Sequence, residues 1–327
     1  MTSTLGIHHV TAIAGDAQRN LDFYAGVLGM RLVKRTVNFD DPFTYHFYFG
    51  DEHGSPGSIL TFFPWFDRRA GQHGVGQVAV TSLAIPAESL GWWLHRLVAA
   101  GVRHEAPVRR GDERVVQLRD PDGMMLALVA HPATGVTPGW DGGAVPAEHA
   151  IRGVHGVTLW VPTLAPTGDV LAAMGFAAVG GEEGTTRFAV GSGGAGAIVD
   201  VRDVGGFVQG KDGVGAVHHV AFRVSDDAAE LALRAEVQRR GLTATAALDR
   251  HYFRSVYFRE PGGVLFELAT DAPGFLIDEP ASALGQSLRL PSHLEHMRDR
   301  IEAALPPVHL PSRLTPESSA FAAESRD

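Results

Sequence analysis

The sequence predicts an α+β fold built from four βαβββ modules. Three observations predict it. The tripeptide His-His-Val occurs at residues 8–10 and again at 218–220. Gly29, Gly101, Gly175 and Gly241 each end a helix-like segment, and each precedes an apolar residue: Met30, Val102, Phe176 and Leu242. Four apolar closing segments then follow at similar distances: Ser58–Phe62, Met124–Leu128, Ala197–Val201 and Val264–Leu268. One order of segments recurring at one spacing marks an internal repeat.

The first module begins Gly6-Ile7-His8-His9-Val10-Thr11. Asp16 is its helix N-cap, and Leu21, Tyr24 and Leu28 follow at helical spacing. The second begins near Val78-Ala79-Val80, with a helix carrying Leu90, Trp93, Leu94 and Leu97. The third begins Gly153-Val154-His155-Gly156-Val157, and its helix lies near Asp169 to Met174. The fourth begins Val217-His218-His219, and its helix runs from about Asp226 to Arg240. Two closing strands follow near-identical turns, Arg119-Asp120-Pro121-Asp122-Gly123 and Arg259-Glu260-Pro261-Gly262-Gly263, where Pro and Gly supply the turn chemistry. The Pro-, Gly- and Ala-rich stretch from His131 to Ala150 reads as a linker between two pairs of modules. The expected divisions are residues 1–135 (modules one and two), a linker at 136–150, residues 151–272 (modules three and four) and a tail at 273–327. The tail holds one helix candidate, Pro291 to Leu305, and a polar end.

Composition limits the function. With 327 residues, 45% hydrophobic and 20% charged, the chain has the balance of a soluble globular protein. No apolar run approaches the roughly 18 residues of a membrane span, and no signal peptide is evident. A net charge of -9 argues against nucleic acid as a partner. The absence of cysteine removes thiolate sites and disulfides and fits a reducing cytoplasm. Any metal site must draw on Asp, Glu and the 16 histidines.

The modules, both His-His-Val pairs, Leu32-Val33-Lys34-Arg35-Thr36, Gly54-Ser55-Pro56-Gly57 and Pro273-Gly274-Phe275 resemble the vicinal oxygen chelate superfamily. That superfamily includes glyoxalase I, bleomycin- and fosfomycin-resistance proteins and extradiol dioxygenases. The chain is most similar to its ring-cleaving group of hydroquinone 1,2-dioxygenases of the PcpA type and MhqO-like proteins. The resemblance implies that modules pair into incomplete barrels, each an open cup, with metal corners on the first and last strands of each module. The corner positions are then His9, Val80, Gly156 and His219 on first strands, and Thr61, Ala127, Asp200 and Glu267 on last strands. If modules one and four share a cup, it holds His9, His219 and Glu267, with Thr61 as a weak fourth corner. Two imidazoles and one carboxylate with open positions are the ligand set of non-haem iron(II) oxygenases. The other cup has one carboxylate, Asp200, and is expected to hold no metal.

The resemblance further implies Fe(II), O2 as co-substrate and a small aromatic diol, hydroquinone or catechol. Ligand type alone does not separate Fe(II) from Mn(II). His8 and His218 alternate to the other strand face, where they either brace the ligands or pack between sheet and helix. Thr11 shares the His9 face. Tyr257 matches an active-site tyrosine of the family, and one of Arg250, His251 and Arg254 reaches the active site where the family places an arginine. Trp92, Trp93 and His46 are read as packing, His53 and His73 as loop residues, and Gly191–Gly196 as a turn. Two other functions compete: a glyoxalase-type isomerase or thiol transferase, disfavoured by the open Thr61 corner, and a metal-free binding protein, disfavoured by the triad. Such folds often associate through module surfaces, which leaves a homo-oligomer open.

Overall fold

The computed structural model describes residues 2–132, 134, 139–182 and 184–310. Four modules are present. The first holds β1 (Ile7–Ala14), α1 (Ala17–Leu21), β2 (Arg31–Asn38), β3 (Asp41–Gly50) and β4 (Ile59–Pro64). The second holds β5 (Gln77–Pro86), α2 (Leu90–Ala99), β6 (Val108–Arg110), β7 (Glu113–Arg119) and β8 (Met125–His131). The third holds β9 (Val154–Val161), α3 (Leu164–Ala173), β10 (Ala177–Glu182), β11 (Thr185–Ala189) and β12 (Ile198–Asp203). The fourth holds β13 (Val217–Val224), α4 (Asp227–Arg239), β14 (Leu248–Asp249), β15 (Arg254–Arg259) and β16 (Leu265–Thr270). In the tail, a 3₁₀ turn at Ser292–Met297 leads into α5 (Arg298–Ala304), within the expected helix. The polar end beyond residue 310 and linker residues 135–138 lie outside the described residues.

The strands form two eight-stranded sheets, ordered β14-β15-β16-β13-β1-β4-β3-β2 and β10-β11-β12-β9-β5-β8-β7-β6. Modules one and four make the first sheet, and modules two and three the second. Each sheet therefore takes one module from either half of the sequence. The two sheets pin each other at equivalent points. Ile7 N donates to Gly196 O at 2.6 Å, and Val154 N donates to Gly57 O at 2.9 Å. The residues just before, Gly6 and Gly153, have φ of 115° and 124°, and a Cβ there would meet Gly196 O at 2.5 Å and Gly57 O at 2.8 Å. Only glycine fits both the backbone and the approach.

Two helices differ from expectation. The third begins earlier than Asp169, at Leu164. Pro166 reads as a breaker, yet in the first turn its missing N–H has no helical partner to lose. The first helix starts as expected, with Asp16 Oδ1 accepting from Arg19 N at 2.7 Å, but widens into a π-helix over Asp22–Val27, where Leu28 N donates to Phe23 O. The spacing of Leu21, Tyr24 and Leu28 buries all three in either geometry.

The motifs that carried the family resemblance meet in space. Lys34 is fully buried and donates to Asp278 Oδ1 at 2.6 Å, Glu279 Oε2 at 2.5 Å and Phe275 O at 3.2 Å. The Phe275 ring packs on Tyr48 and Tyr252, each with centroids 5.0 Å apart. The tail is thus strapped to the first sheet. Trp93 packs in the core, and its Nε1 donates to His149 O at 2.9 Å, while Trp92 stacks on the His149 ring at 4.8 Å.

Glu230 lies on the buried stripe of α4 with Leu233 and Val237, and neither carboxylate oxygen has a hydrogen-bond partner among the described residues. Burial raises its pKa to about 7, against the pull of Arg254. A raised carboxyl pKa means that the folded state binds more protons than the unfolded one, so stability falls as pH rises from about 4.5 to about 7. Replacing Glu230 by Gln is expected to stabilise the protein at pH 8 by about 1–3 kcal/mol and to give no gain at pH 4. Urea unfolding at both pH values checks this, and an equal gain at both would contradict it.

Candidate metal centre

The two sheets share one register. In all four modules the last-strand corner lies beside the residue two places after the first-strand corner: Thr11↔Thr61, Ser82↔Ala127, Thr158↔Asp200 and Ala221↔Glu267. Across the central antiparallel pairs, His9 faces Ala221 and Thr11 faces His219, just as Val80 faces Thr158 and Ser82 faces Gly156. The eight corners therefore occupy equivalent places in two equivalent cups.

In the first cup His9, His219 and Glu267 converge, all buried, with one ligand atom from each within 4.8 Å of the others. Nε2 of His219 and of His9 lie 2.8 Å and 3.3 Å from Glu267 Oε2, and 3.3 Å from each other. Oε2 nevertheless makes no well-formed hydrogen bond, while Oε1 accepts from Ser255 Oγ at 2.5 Å. A buried carboxylate oxygen left facing two imidazole nitrogens is suited to sharing a cation. Burial opposes ionisation of Glu267, but His9 and His219 outweigh it and hold the carboxyl well below its usual range. Burial also lowers the His219 imidazole, against the pull of Glu267. The donor set is one carboxylate and two imidazoles.

The outer histidines back the inner ones. Nδ1 of His8 lies 2.9 Å from Nδ1 of His9, and Nδ1 of His218 lies 2.7 Å from Nδ1 of His219. In the tautomer that frees Nε2 for a cation, each inner imidazole carries its proton on Nδ1 and donates it to its outer neighbour. Burial, followed by the adjacent histidine, lowers the pKa of His8 and of His218 to about 3, which keeps both as neutral acceptors. Phe253 packs on both His8 and His9 with centroids 5.1 Å away.

A cavity of about 440 Å³ opens over His9 and His219. Thr11, His218, Tyr257 and Arg250 line it, together with Tyr48, His46, Phe63 and Trp65. The Arg250 guanidinium lies over the Tyr257 ring, 5.3 Å from its centroid, and pairs with Asp40 at 3.2 Å. Arg254 turns away to Asp227 of α4 at 2.9 Å, and His251 Nε2 lies 3.5 Å from Asp278 in the tail. Of the three candidates, Arg250 alone lines this cavity. Burial, followed by the charge of Glu267, raises the Tyr257 phenol well above its ordinary pKa, so it stays protonated.

His46, read from sequence as packing, also lines the cavity, and its Nε2 lies 2.9 Å from Thr61 Oγ1. Ser255 and Tyr48 are further site residues that the sequence reading missed. A signal existed: the two hairpins align as His46-Phe47-Tyr48-Phe49 and Ser255-Val256-Tyr257-Phe258.

A model of the "Glyoxalase/Bleomycin resistance protein/Dioxygenase superfamily" matches residues 6–128 and 147–268. The chain belongs to this superfamily. It is 44% identical over 307 residues to "Putative ring-cleaving dioxygenase MhqO" of Bacillus subtilis (strain 168), covering 93% of this chain and 96% of that protein. It is 35% identical over 313 residues to "Chlorohydroquinone/hydroquinone 1,2-dioxygenase" of Sphingobium indicum, covering 90% and 94%. The crystal structure of a "putative dioxygenase" from Bacillus subtilis subsp. subtilis str. 168 superposes with a TM-score of 0.91 at 42% identity, covering 95% of this chain and 99% of that one. These relatives place the chain among the ring-cleaving dioxygenases of the superfamily.

The second cup of this chain is filled differently from the first. Asp200 takes Arg187 through two contacts of 2.8 Å and 3.0 Å and Arg110 at 3.2 Å. Glu113 takes His155 at 2.7 Å, Arg187 at 3.1 Å and Arg110 at 2.9 Å. The two acids there are paired with cations from the protein itself.

Equilibrium dialysis against Fe(II) under anaerobic conditions, with metal analysis, is expected to find one ion per chain. His9→Ala, His219→Ala and Glu267→Ala should each abolish it. His8→Phe and His218→Phe should weaken it about 10- to 100-fold. Full retention by the three alanine variants would contradict the assignment.

Proposed function

We propose that the protein is an Fe(II)-dependent, extradiol-type ring-cleaving dioxygenase that inserts O2 into a hydroquinone or a catechol. The observation that carries this reading is the convergence of His9, His219 and Glu267 at the floor of an aromatic-walled cavity, with an uncharged Thr61 at the fourth corner. Two imidazoles and a carboxylate with open positions suit iron(II) oxygenase chemistry. The identities to MhqO and to the Sphingobium hydroquinone enzyme support the substrate class. The chemistry supplied by bound iron is Lewis-acid activation of the ring hydroxyls and electron transfer between ring and O2.

The protein's own groups supply position and protons. Ser255 fixes the rotation of the Glu267 carboxylate. His8 and His218 fix the tautomers of the ligands. Phe63, Trp65 and Tyr48 form walls on which a planar ring packs. Arg250, held by Asp40, sets a positive charge where a phenolate must be stabilised. The protonated Tyr257 and the Thr11 hydroxyl offer donors to oxygen atoms in the cavity. Thr61 is engaged by His46 and Thr11, and so adds no fourth charged ligand of the kind an isomerase centre would use.

The test is O2 uptake by iron-loaded protein with substituted hydroquinones and catechols, followed by mass spectrometry after turnover in ¹⁸O2. Label in a ring-opened product is expected. Turnover of a glutathione hemithioacetal without O2 uptake would contradict the reading. Thr61→Glu, which adds a carboxylate on the open side, is expected to retain metal and lose ring cleavage; undiminished cleavage would show that the open corner is not needed.

A further inference from the structure

The site contains a second polar relay that ligand chemistry does not explain. Thr61 Oγ1 lies 2.9 Å from Thr11 Oγ1, and His46 Nε2 lies 2.9 Å from Thr61 Oγ1. A chain that carries a proton toward the cavity runs from His46 Nε2–H to Thr61 and from Thr61 to Thr11, and it uses the Nε2–H tautomer of His46. Thr11 then accepts from Thr61, and its own proton is left to point into the cavity it lines. The His46 ring is held between Tyr48 and Phe63, with centroids 4.0 Å and 4.3 Å away. That packing leaves the imidazole little freedom to turn from Thr61.

The register makes this relay the counterpart of the carboxylate support on the other side of the cup. Tyr257 pairs with Glu267, and Tyr48 pairs with Thr61. Two residues before each tyrosine, on the same strand face, stand Ser255 and His46. Ser255 donates to Glu267, and His46 Nε2 meets Thr61 Oγ1. One module thus uses this position to orient a ligand, and the other uses it to orient a hydroxyl pair.

We infer that His46 is a positioning residue: through Thr61 it aims the Thr11 hydroxyl proton at an oxygen atom of the bound ring substrate on the side of the site opposite Glu267. The inference rests on the ring-cleavage reading for its substrate, but its geometry stands apart from that reading. Burial favours the neutral imidazole. A neutral His46 donates through Nε2 and cannot replace the cation that Arg250 supplies.

Two measurements test it. In metal-free protein, ¹⁵N NMR of the imidazoles should show His46 as the neutral Nε2–H tautomer, with its Nε2 signal displaced in Thr61→Val. The Nδ1–H tautomer would reverse the relay and overturn the inference. In iron-loaded protein, His46→Phe, which keeps the stacked ring but no donor, and Thr61→Val should each lower kcat about 10- to 100-fold with KM, metal content and Tm little changed. His46→Gln, which restores an N–H at the Nε2 position, should recover most of that loss. A His46→Phe enzyme with the wild-type kcat, or no rescue by Gln, would overturn the role. If the wild type consumes no O2 with any dihydroxybenzene, the ring-cleavage reading falls and the tautomer measurement still decides the relay.

Discussion

The antiparallel pairing of β1 with β13 is the contact on which the site depends. It joins residues about two hundred positions apart and sets Thr11 opposite His219 and His9 opposite Ala221. The parallel neighbours then complete the cup, with β16 bringing Glu267 beside Ala221 and β4 bringing Thr61 beside Thr11. Because strand faces alternate, a slip of one residue in the β1–β13 pairing would turn His9 or His219 out of the cup. Leu5 N donates to Arg223 O at 2.9 Å and Arg223 N donates to Gly6 O at 2.8 Å, which carries that pairing past the start of β1 and helps to hold its register.

Equivalent positions in the two sheets meet the same physical problem with different chemistry. A carboxylate on the inner face of a half-barrel is costly unless charge is brought to it. In the second sheet the charge is built in, as Arg187 and Arg110 hold Asp200. In the first sheet, among the described residues, Glu267 meets two imidazoles and a serine hydroxyl but no arginine or lysine, and Oε2 makes no well-formed hydrogen bond. The fold is the same in both sheets, and the charge of the side chains at the corners sets the two cups apart.

The sequence revealed the modules because helix stops, turns and strand periods are local signals. It revealed the triad because the repeat aligns His9, His219 and Glu267 at equivalent corners, even though no local pattern links them. Less was legible where a side chain's role depends on what faces it across space. His46 sits in an apolar, aromatic run and reads as packing; only its approach to Thr61 gives it a polar task. Arg250 and Arg254 are four residues apart in a loop and strand start, and the left-handed backbone of His251 (φ 68°) between them contributes to sending one into the cavity and the other toward α4. The start of the third helix was obscured by Pro166, whose effect depends on its place in the first turn.

The central claim is that a single metal ion is held by residues from the first and fourth modules alone. Anomalous diffraction at the iron edge from crystals loaded anaerobically with Fe(II) tests it most directly. The account predicts one peak per chain, bonded to Nε2 of His9, Nε2 of His219 and Oε2 of Glu267, with Thr61 and His46 unbonded to it. A peak in the second cup, or a first-cup ion bonded to His46 in place of one of the three, would contradict it.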